Sequence, residues 1–356
     1  MLRYKEIKLM LLQEISQLNP LDRLPSRLEL CKKLDTTRTT LDKAIKELES
    51  EGIVFCKDGS GTYVAIPEGY DVKKPDNWGI IVPDIMEDIY AGLVRGVEDI
   101  AQRSGANLIL CNFDHSLEKQ EQYIRRLMLT GASGIILVPV LRQHSGEFSN
   151  LYSILAETNK PLVFCNMGVS GIDAPIVTSN NYYGGYLATK HLIQRGYQKI
   201  AYISKFNYQT SIERCQGYIT ALMEAGRKVD RELIIMDAGD ADQPYGYRAV
   251  KDLLRKRPDV DAFFCFNDSL LRGVYRAAEE LGKMISEDIG VVGYDNTSFC
   301  TELKPEASSM TYRNAEIGHI AADLLLKQIN GEKLSGFQYY LFKPELIERE
   351  SCMGPR

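Results

Sequence analysis

No apolar run in this 356-residue chain approaches the ~18–20 residues that cross a bilayer. The opening stretch, MLRYKEIKLMLLQEISQL, sets Lys and Glu among its apolar residues. It shows no clean apolar core followed by a small-residue cleavage site, so a secretory leader is not expected. An excess of one charge is missing too. The formal net charge is -5, with 11 Lys/Arg against 10 Asp/Glu in residues 1–66 and 32 against 38 in the rest. That excludes a protein that coats a polyanion by bulk charge. It does not exclude a small nucleic-acid-binding module, for which position must carry the case. The eight cysteines are scattered singly and no CxxC exists. The histidines (His115, His144, His191, His319) are isolated, so no metal site is expected. Several cysteines lie inside apolar runs (LILCNF, LVFCNM, AFFCFN), where a free thiol behaves as a small hydrophobe. Free thiols suit a reducing compartment, and the expected location is cytoplasmic. Catalytic signatures are missing as well: GxxxxGK[ST], HExxH, GxSxG and a GxGxxG after a strand. No enzyme and no cofactor is expected, although the fold expected below would by itself permit catalysis.

Two periodicities are present. Over the first 50 residues the period is helical. Ile7, Leu11, Ile15 and Leu18 form one stripe, Leu28, Cys31 and Leu34 a second, and Leu41, Ala44, Ile45 and Leu48 a third. The gap between the second and third is only a few residues, which is the helix-turn-helix pattern. After Gly52, IVFCKDGSGTYVAI predicts a hairpin turning at Asp58–Gly59. Residues 67–77, PEGYDVKKPDN, read as a linker. From Trp78 onward, short Val/Ile/Leu-rich runs (WGIIVP, NLILCNF, GIILVPV, PLVFCNM, PIVTSN, KIAYIS, ELIIMDA, AFFCFND, IGVVGYDN) alternate with amphipathic segments. Continuous apolar strands between helices predict a doubly wound α/β architecture. About 280 residues is a large share for one sheet, so two lobes are expected, with ligand between them at the carboxyl ends of the strands. The expected division is a head over 1–66, a linker over 67–77 and an α/β domain over 78–356.

A helix that reads DNA needs donors near its N-terminus. The third helix offers Thr36, Thr37, Arg38, Thr39 and Thr40 there, with Lys43 and Lys46 on other faces. Arg38 can fork onto guanine O6 and N7. The hydroxyls can cap the helix or touch phosphate. At the hairpin tip, Gly59, Ser60 and Gly61 allow close backbone approach to a groove, with Lys57 alongside. LPSRLEL, TTRTTLDKAIKELESEG and GSGTYV, in this order and spacing, resemble the winged helix-turn-helix of the GntR family of bacterial transcription regulators. The resemblance implies DNA contacts by Arg38, Thr37, Thr39, Thr40 and the wing glycines Gly59 and Gly61. Two places depart from the family pattern. Arg27-Leu28 stands where the family has Glu-Arg, and Asp42 where a second recognition-helix Arg is common. Asp42 would be repelled by phosphates yet could accept from cytosine N4. Arg27 and Lys43 are the possible substitutes.

Residues 78–350 resemble the ligand-binding domain of LacI/GalR-type repressors, which is similar to periplasmic sugar-binding proteins. The pieces that carry the likeness include WGIIVPDIMEDIYAGLVRGVEDIA, SNNYYGGYLATKHLIQRGYQKIAYI, RCQGYITALMEAG, DAFFCFNDSLLRGVYRAAEELG and DIGVVGYDN. A GntR head on such a domain is the architecture of the arabinose-repressor (AraR) subfamily. The resemblance implies two Rossmann-like lobes with three crossovers and a sugar in the cleft. From the residues themselves, Asp268 and Asp295 end apolar strands, where open α/β sheets bind ligands. Asn267 and Asp268 could equally cap the following helix. Arg214 opens a helix at a position where the family has a ligand-binding Arg. Glu87, Tyr90 and Tyr312 stand at family positions near the ligand, and Arg142 and Asn166 also end strands. The expectation is a dimeric, ligand-responsive transcription regulator, most simply a repressor of carbohydrate-utilisation genes. It would bind double-stranded operator DNA and be released by a monosaccharide, with no membrane involved. The alternatives are a sugar-binding protein of transport or chemosensing type and a regulator with a non-sugar effector.

Overall fold

In a computed structural model the described residues are 3–65, 76–140, 148–204, 208–236 and 246–354. The chain forms two compact units, Met1–Lys74 and Pro75–Arg356. Most of the expected linker, 67–75, lies outside the described residues.

In the first unit, α1 (Arg3–Ile15), α2 (Arg27–Lys33) and α3 (Arg38–Ser50) precede an antiparallel hairpin of β1 (Val54–Lys57) and β2 (Gly61–Val64). Helix α2 has only seven residues and is held at its start by a capping box. The Ser26 side chain accepts from the Glu29 N–H, and the Glu29 carboxylate accepts from the Ser26 N–H. That start sets the phase of so short a helix. Leu30 is the side chain that enters the core, while Leu28, expected in the apolar stripe, is 69% exposed. The other two stripes are as expected. Ile7, Leu11 and Ile15 pack with Leu41, Ala44, Ile45 and Leu48, and Val54 and Val64 close the cluster from the hairpin.

The second unit has two parallel lobes. Its first half runs β3 (Asn77–Val82), α4 (Asp88–Arg103), β4 (Asn107–Asn112), α5 (Leu117–Leu129), β5 (Gly134–Leu137), α6 (Phe148–Ala156), β6 (Leu162–Cys165) and β7 (Ile176–Ser179). The chain then passes into α7 (Asn181–Gln194), β8 (Ile200–Ile203), α8 (Gln209–Glu224), β9 (Ile234–Ile235), α9 (Tyr247–Lys256), β10 (Ala262–Cys265), α10 (Leu271–Glu280), β11 (Gly290–Asp295) and β12 (Ser308–Thr311). Helix α11 (Asn314–Ile329) returns to the first lobe, where β13 (Tyr339–Phe342) pairs beside β7, and β14 (Leu346–Ile347) crosses back to pair beside β12. The strand orders among the described residues are β13-β7-β6-β5-β3-β4 and β14-β12-β11-β10-β8-β9, all parallel except β14. Three passages of the chain between lobes match the expected three crossovers. Most strands that were legible as apolar runs are buried on both faces, β5, β6, β8 and β10 throughout, whereas β4 and β9 are only partly buried. Six of the eight cysteines are buried in these layers, Cys31 is half-buried, and Cys56 is exposed in the hairpin.

Helices α7 and α8 come unusually close, and glycine makes this possible. A Cβ on Gly185 would lie 2.1 Å from the Arg214 carbonyl oxygen, and one on Gly217 would lie 2.0 Å from that of Tyr182. This approach sets Arg214 beside the first turn of α7.

Candidate effector cleft and DNA-reading face

Between the two lobes, at the carboxyl ends of β3, β6, β10 and β11, lies a cavity of about 70 Å³. One ordered water needs only ~10–15 Å³, so the space admits a small polar molecule. Six sequence-predicted residues line it: Glu87, Tyr90, Asn166, Arg214, Asp295 and Tyr312. Of the other two, Arg142 lies outside the described residues. Asp268 is buried away from this cavity with both oxygens already committed. Oδ2 accepts from the Thr297 N–H at 2.8 Å and the Thr297 hydroxyl at 3.1 Å, and Oδ1 accepts from Ser309 Oγ at 2.7 Å. Asp268 thus fixes the turn that follows Asp295. It does not cap the following helix, since no side-chain bond caps the short 3₁₀ turn there.

Arg214 is the fixed point of the cleft. Only 2% of the residue is exposed. Its Nε donates to Asn181 Oδ1 at 2.9 Å and its Nη1 donates to the Phe266 carbonyl oxygen. Its guanidinium carbon sits 3.4 Å from the Tyr294 ring centroid and 4.6 Å from that of Phe266. A buried guanidinium needs this combination of aromatic faces and acceptors, because burial without partners is costly. Its Nη2 points at Asp295 Oδ1 from 3.8 Å, too long for a hydrogen bond. Asp295 Oδ1 is buried and accepts no hydrogen bond from the described residues. Burial pushes this carboxyl well above the usual carboxylate range, with Arg214 opposing and Asp268 and Glu87 adding to the rise. An orphaned acceptor facing a cavity beside a fixed cation is a place for a ligand hydroxyl.

The backbone agrees. Asp295, Asn296 and Asn166 adopt φ of 103°, 49° and 70°, in the left-handed region that non-glycine residues avoid. On the opposite wall the Tyr312 hydroxyl donates to Asn166 Oδ1 at 2.7 Å, tying a strand end of one lobe to the return crossover of the other. Asp88 Oδ2, at the start of α4, accepts from Ser298 Oγ at 3.0 Å across the cleft. His115, Tyr208, Thr210, Phe266 and Asn267 also line the cavity and went unread as ligand contacts. Phe266 and Asn267 were accessible as the residues that follow β10. His115 and Tyr208 carried no signal, since each sits in a loop with no periodicity. His115 Nε2 lies 3.4 Å from Glu87 Oε1, and its Nδ1 is buried without a partner among the described residues. Asp84, Glu87 and His115 also form the group of potential metal ligands found among the described residues.

In the first unit, Arg38 opens α3 with its side chain 80% exposed. Thr37 is the N-cap and accepts from the Thr40 N–H, and the Thr37 and Thr40 hydroxyls lie 2.9 Å apart, so these two are engaged in capping. Thr39 is exposed. Lys43 is exposed with its Nζ 4.4 Å from the Tyr4 ring centroid. Gly59 and Gly61 form the hairpin tip with φ of 70° and 126°. Arg27 does not present its charge outward as expected; it turns inward to Asp42 at 2.9 Å and Thr62 Oγ1 at 2.7 Å.

Residues 76–338 match the family described as periplasmic binding proteins and sugar binding domain of LacI family, and residues 3–64 match bacterial regulatory proteins of the gntR family. The chain belongs to the LacI-type sugar-binding family, with a gntR-family head. Among its relatives, this regulator is 26% identical over 353 residues to the arabinose metabolism transcriptional repressor of Geobacillus stearothermophilus, covering 98% of this chain and 97% of that one. It is 30% identical over 325 residues to the HTH-type transcriptional regulator RegA of Clostridium saccharobutylicum, covering 90% and 91%. Among solved structures it resembles the transcriptional regulator CelR–cellobiose complex with a TM-score of 0.70 at 28% identity, over 88% of this chain and 90% of that one. The regulator is thus a transcription factor with an effector domain and not an enzyme. Among its described residues no helix is long and apolar enough to cross a membrane.

Proposed function

We propose that the regulator is a cytoplasmic, dimeric repressor that binds operator DNA through its winged head and is released by a small sugar bound between its lobes. The head (1–66) would be joined through 67–77 to the effector and dimerisation domain (78–356). The observation that carries the effector reading is the pairing of a fixed, aromatic-stacked Arg214 with the orphaned acceptor Asp295 Oδ1 in one cavity. Sugars present adjacent hydroxyls that both donate and accept. A guanidinium fork and a carboxylate oxygen beside aromatic faces suit that chemistry. The sugar class draws further support from relatives named for arabinose and ribose and from a structural neighbour that holds cellobiose. Two winged heads would read the halves of a pseudo-palindrome, because two-fold protein symmetry maps onto two-fold operator symmetry.

The test is a thermal-shift screen of the full chain against a panel of monosaccharides. A ligand bound only by the folded state raises the melting temperature. One sugar should stabilise the wild type and leave Arg214→Ala unmoved, while that variant still binds DNA. Stabilisation of both proteins alike would remove the cleft from the reading, and a flat panel would replace the sugar by another effector class.

A further inference from the structure

The recognition helix carries an acid on a face that must meet a polyanion. Asp42 lies one turn beyond Arg38 on α3, with its side chain 43% exposed. A carboxylate near phosphates is repelled unless a cation compensates it. Arg27 supplies that cation from inside the head. Its Nε donates to Asp42 Oδ1 at 2.9 Å, its Nη1 donates to Thr62 Oγ1 at 2.7 Å, and its Nη2 reaches Cys56 Sγ at 3.7 Å. One guanidinium at the start of α2 thus ties the recognition helix to both strands of the wing. Nε, Nη1 and Nη2 each spend a donor inside the head, so its main engagement is with Asp42 and the wing.

The clamp commits only one of the two Asp42 oxygens. Oδ2 lies 3.9 Å from Arg38 Nε, beyond hydrogen-bond distance. On one face of α3, about 4 Å apart, sit a fork of donors and an oxygen that can only accept. That spacing is close to the ~3.4 Å rise of one base step. Guanine offers acceptors at O6 and N7, and thymine offers an acceptor at O4, so a carboxylate rejects both. Adenine N6 donates, but its neighbouring N7 repels a second oxygen. Cytosine N4 donates without such a neighbour. We propose that Asp42 is a specificity-determining residue that accepts from cytosine N4 within one base step of the guanine bound by Arg38, with Arg27 holding its charge and rotamer. The proposal rests on the reading of α3 as the helix in the major groove.

The experiment is selection of binding sites by the full-length chain from a randomised duplex pool, repeated with Asp42→Asn and Arg38→Ala. Asparagine keeps the size of the side chain and an amide oxygen that can accept from both Arg27 and adenine N6, and adds an N–H that donates to adenine N7. The wild type should select a cytosine within one step of the half-site guanine. Asp42→Asn should change that one position to adenine, with about a tenfold change in relative affinity, and keep the guanine. An unchanged melting curve for Asp42→Asn assures that the head is folded. The same half-site selected by Asp42→Asn and wild type, with Arg38→Ala losing specific binding, overturns the proposal and leaves the DNA reading standing. Specific binding retained by Arg38→Ala overturns the underlying placement of α3 instead.

Discussion

Asp295 and Arg214 sit close enough to attract and too far apart to hydrogen-bond, and a pH dependence follows from that gap. Burial raises the Asp295 carboxyl well above its ordinary 3.8. The sign follows. A raised carboxyl favours the protonated form in the folded state, so its contribution to stability is present at low pH and is lost as pH rises through the raised value. A sugar hydroxyl donating to Oδ1 favours the ionised form and brings the group back down. Binding therefore releases a proton and strengthens as pH rises. The melting-temperature shift given by a saturating sugar should grow between pH 5 and pH 8, and Asp295→Asn should flatten that dependence. A shift of equal size across this range in the wild type would remove the Asp295 carboxylate as the acceptor. At this scale the sequence was informative where a polar residue directly ends an apolar strand, as Asp295 and Asn166 do. The same pattern misplaced Asp268, because its donors, Thr297 and Ser309, arrive from segments whose approach no local pattern records. Arg27 misled for the same reason: its partners lie 15 and 35 residues away.

The elements deliver these residues through helix contacts as much as through strand ends. Arg214 is set by the close approach of α7 and α8, where an added methyl at Gly185 would meet the Arg214 carbonyl oxygen at 2.1 Å. Backbone cannot yield as a flexible side chain can, so the helices must separate. Gly185→Ala should cost about 1–3 kcal/mol of stability, the ordinary range for overpacking. It should also move Arg214 off Asn181 and the Tyr294 ring. Calorimetry with the sugar should show affinity reduced more than tenfold while the head, a separate compact unit, still binds operator. Loss of stability with unchanged sugar affinity would show that α8 tolerates the shift and that Arg214 is held by its aromatic cage alone. The strands were legible from Trp78 to Asp295 because each is an apolar run, most of them buried on both faces, with β4 and β9 only partly buried. Strand β13 was not: it is an edge strand whose Tyr339, Tyr340 and Leu341 are exposed, so it never forms a buried run. In the head, the third stripe was legible because α3 spans 13 residues and repeats its period, whereas α2 has only seven residues and its phase is set by the Ser26–Glu29 box.

At the scale of the molecule, a switch requires that the sugar prefer one arrangement of the lobes. Moving a two-state equilibrium from 1:99 to 99:1 takes roughly 5.5 kcal/mol of differential binding, so contacts between the lobes need only bias the balance by a fraction of that. Two contacts join the lobes at the cleft. The Asp88 carboxylate accepts from Ser298 across the cleft, and Tyr312 donates to Asn166 beside the ligand site. The second bond borders the cavity, so its removal would disturb the sugar directly. The first lies at the start of α4, and Asp88 does not line the cavity that Arg214 and Asp295 share. Asp88→Ala therefore tests closure apart from recognition. A hydrogen bond of this kind contributes about 0.5–1.5 kcal/mol. Apparent sugar affinity scales with the fraction of molecules in the competent state. Asp88→Ala should weaken sugar binding by about two- to tenfold, leave the operator affinity of the sugar-free protein unchanged, and raise the sugar concentration needed for release by the same factor. Titration calorimetry gives the first quantity, and operator binding by fluorescence anisotropy gives the other two. Equal sugar affinity in variant and wild type would place the energetic bias elsewhere, in the Tyr312–Asn166 contact or in the ligand alone.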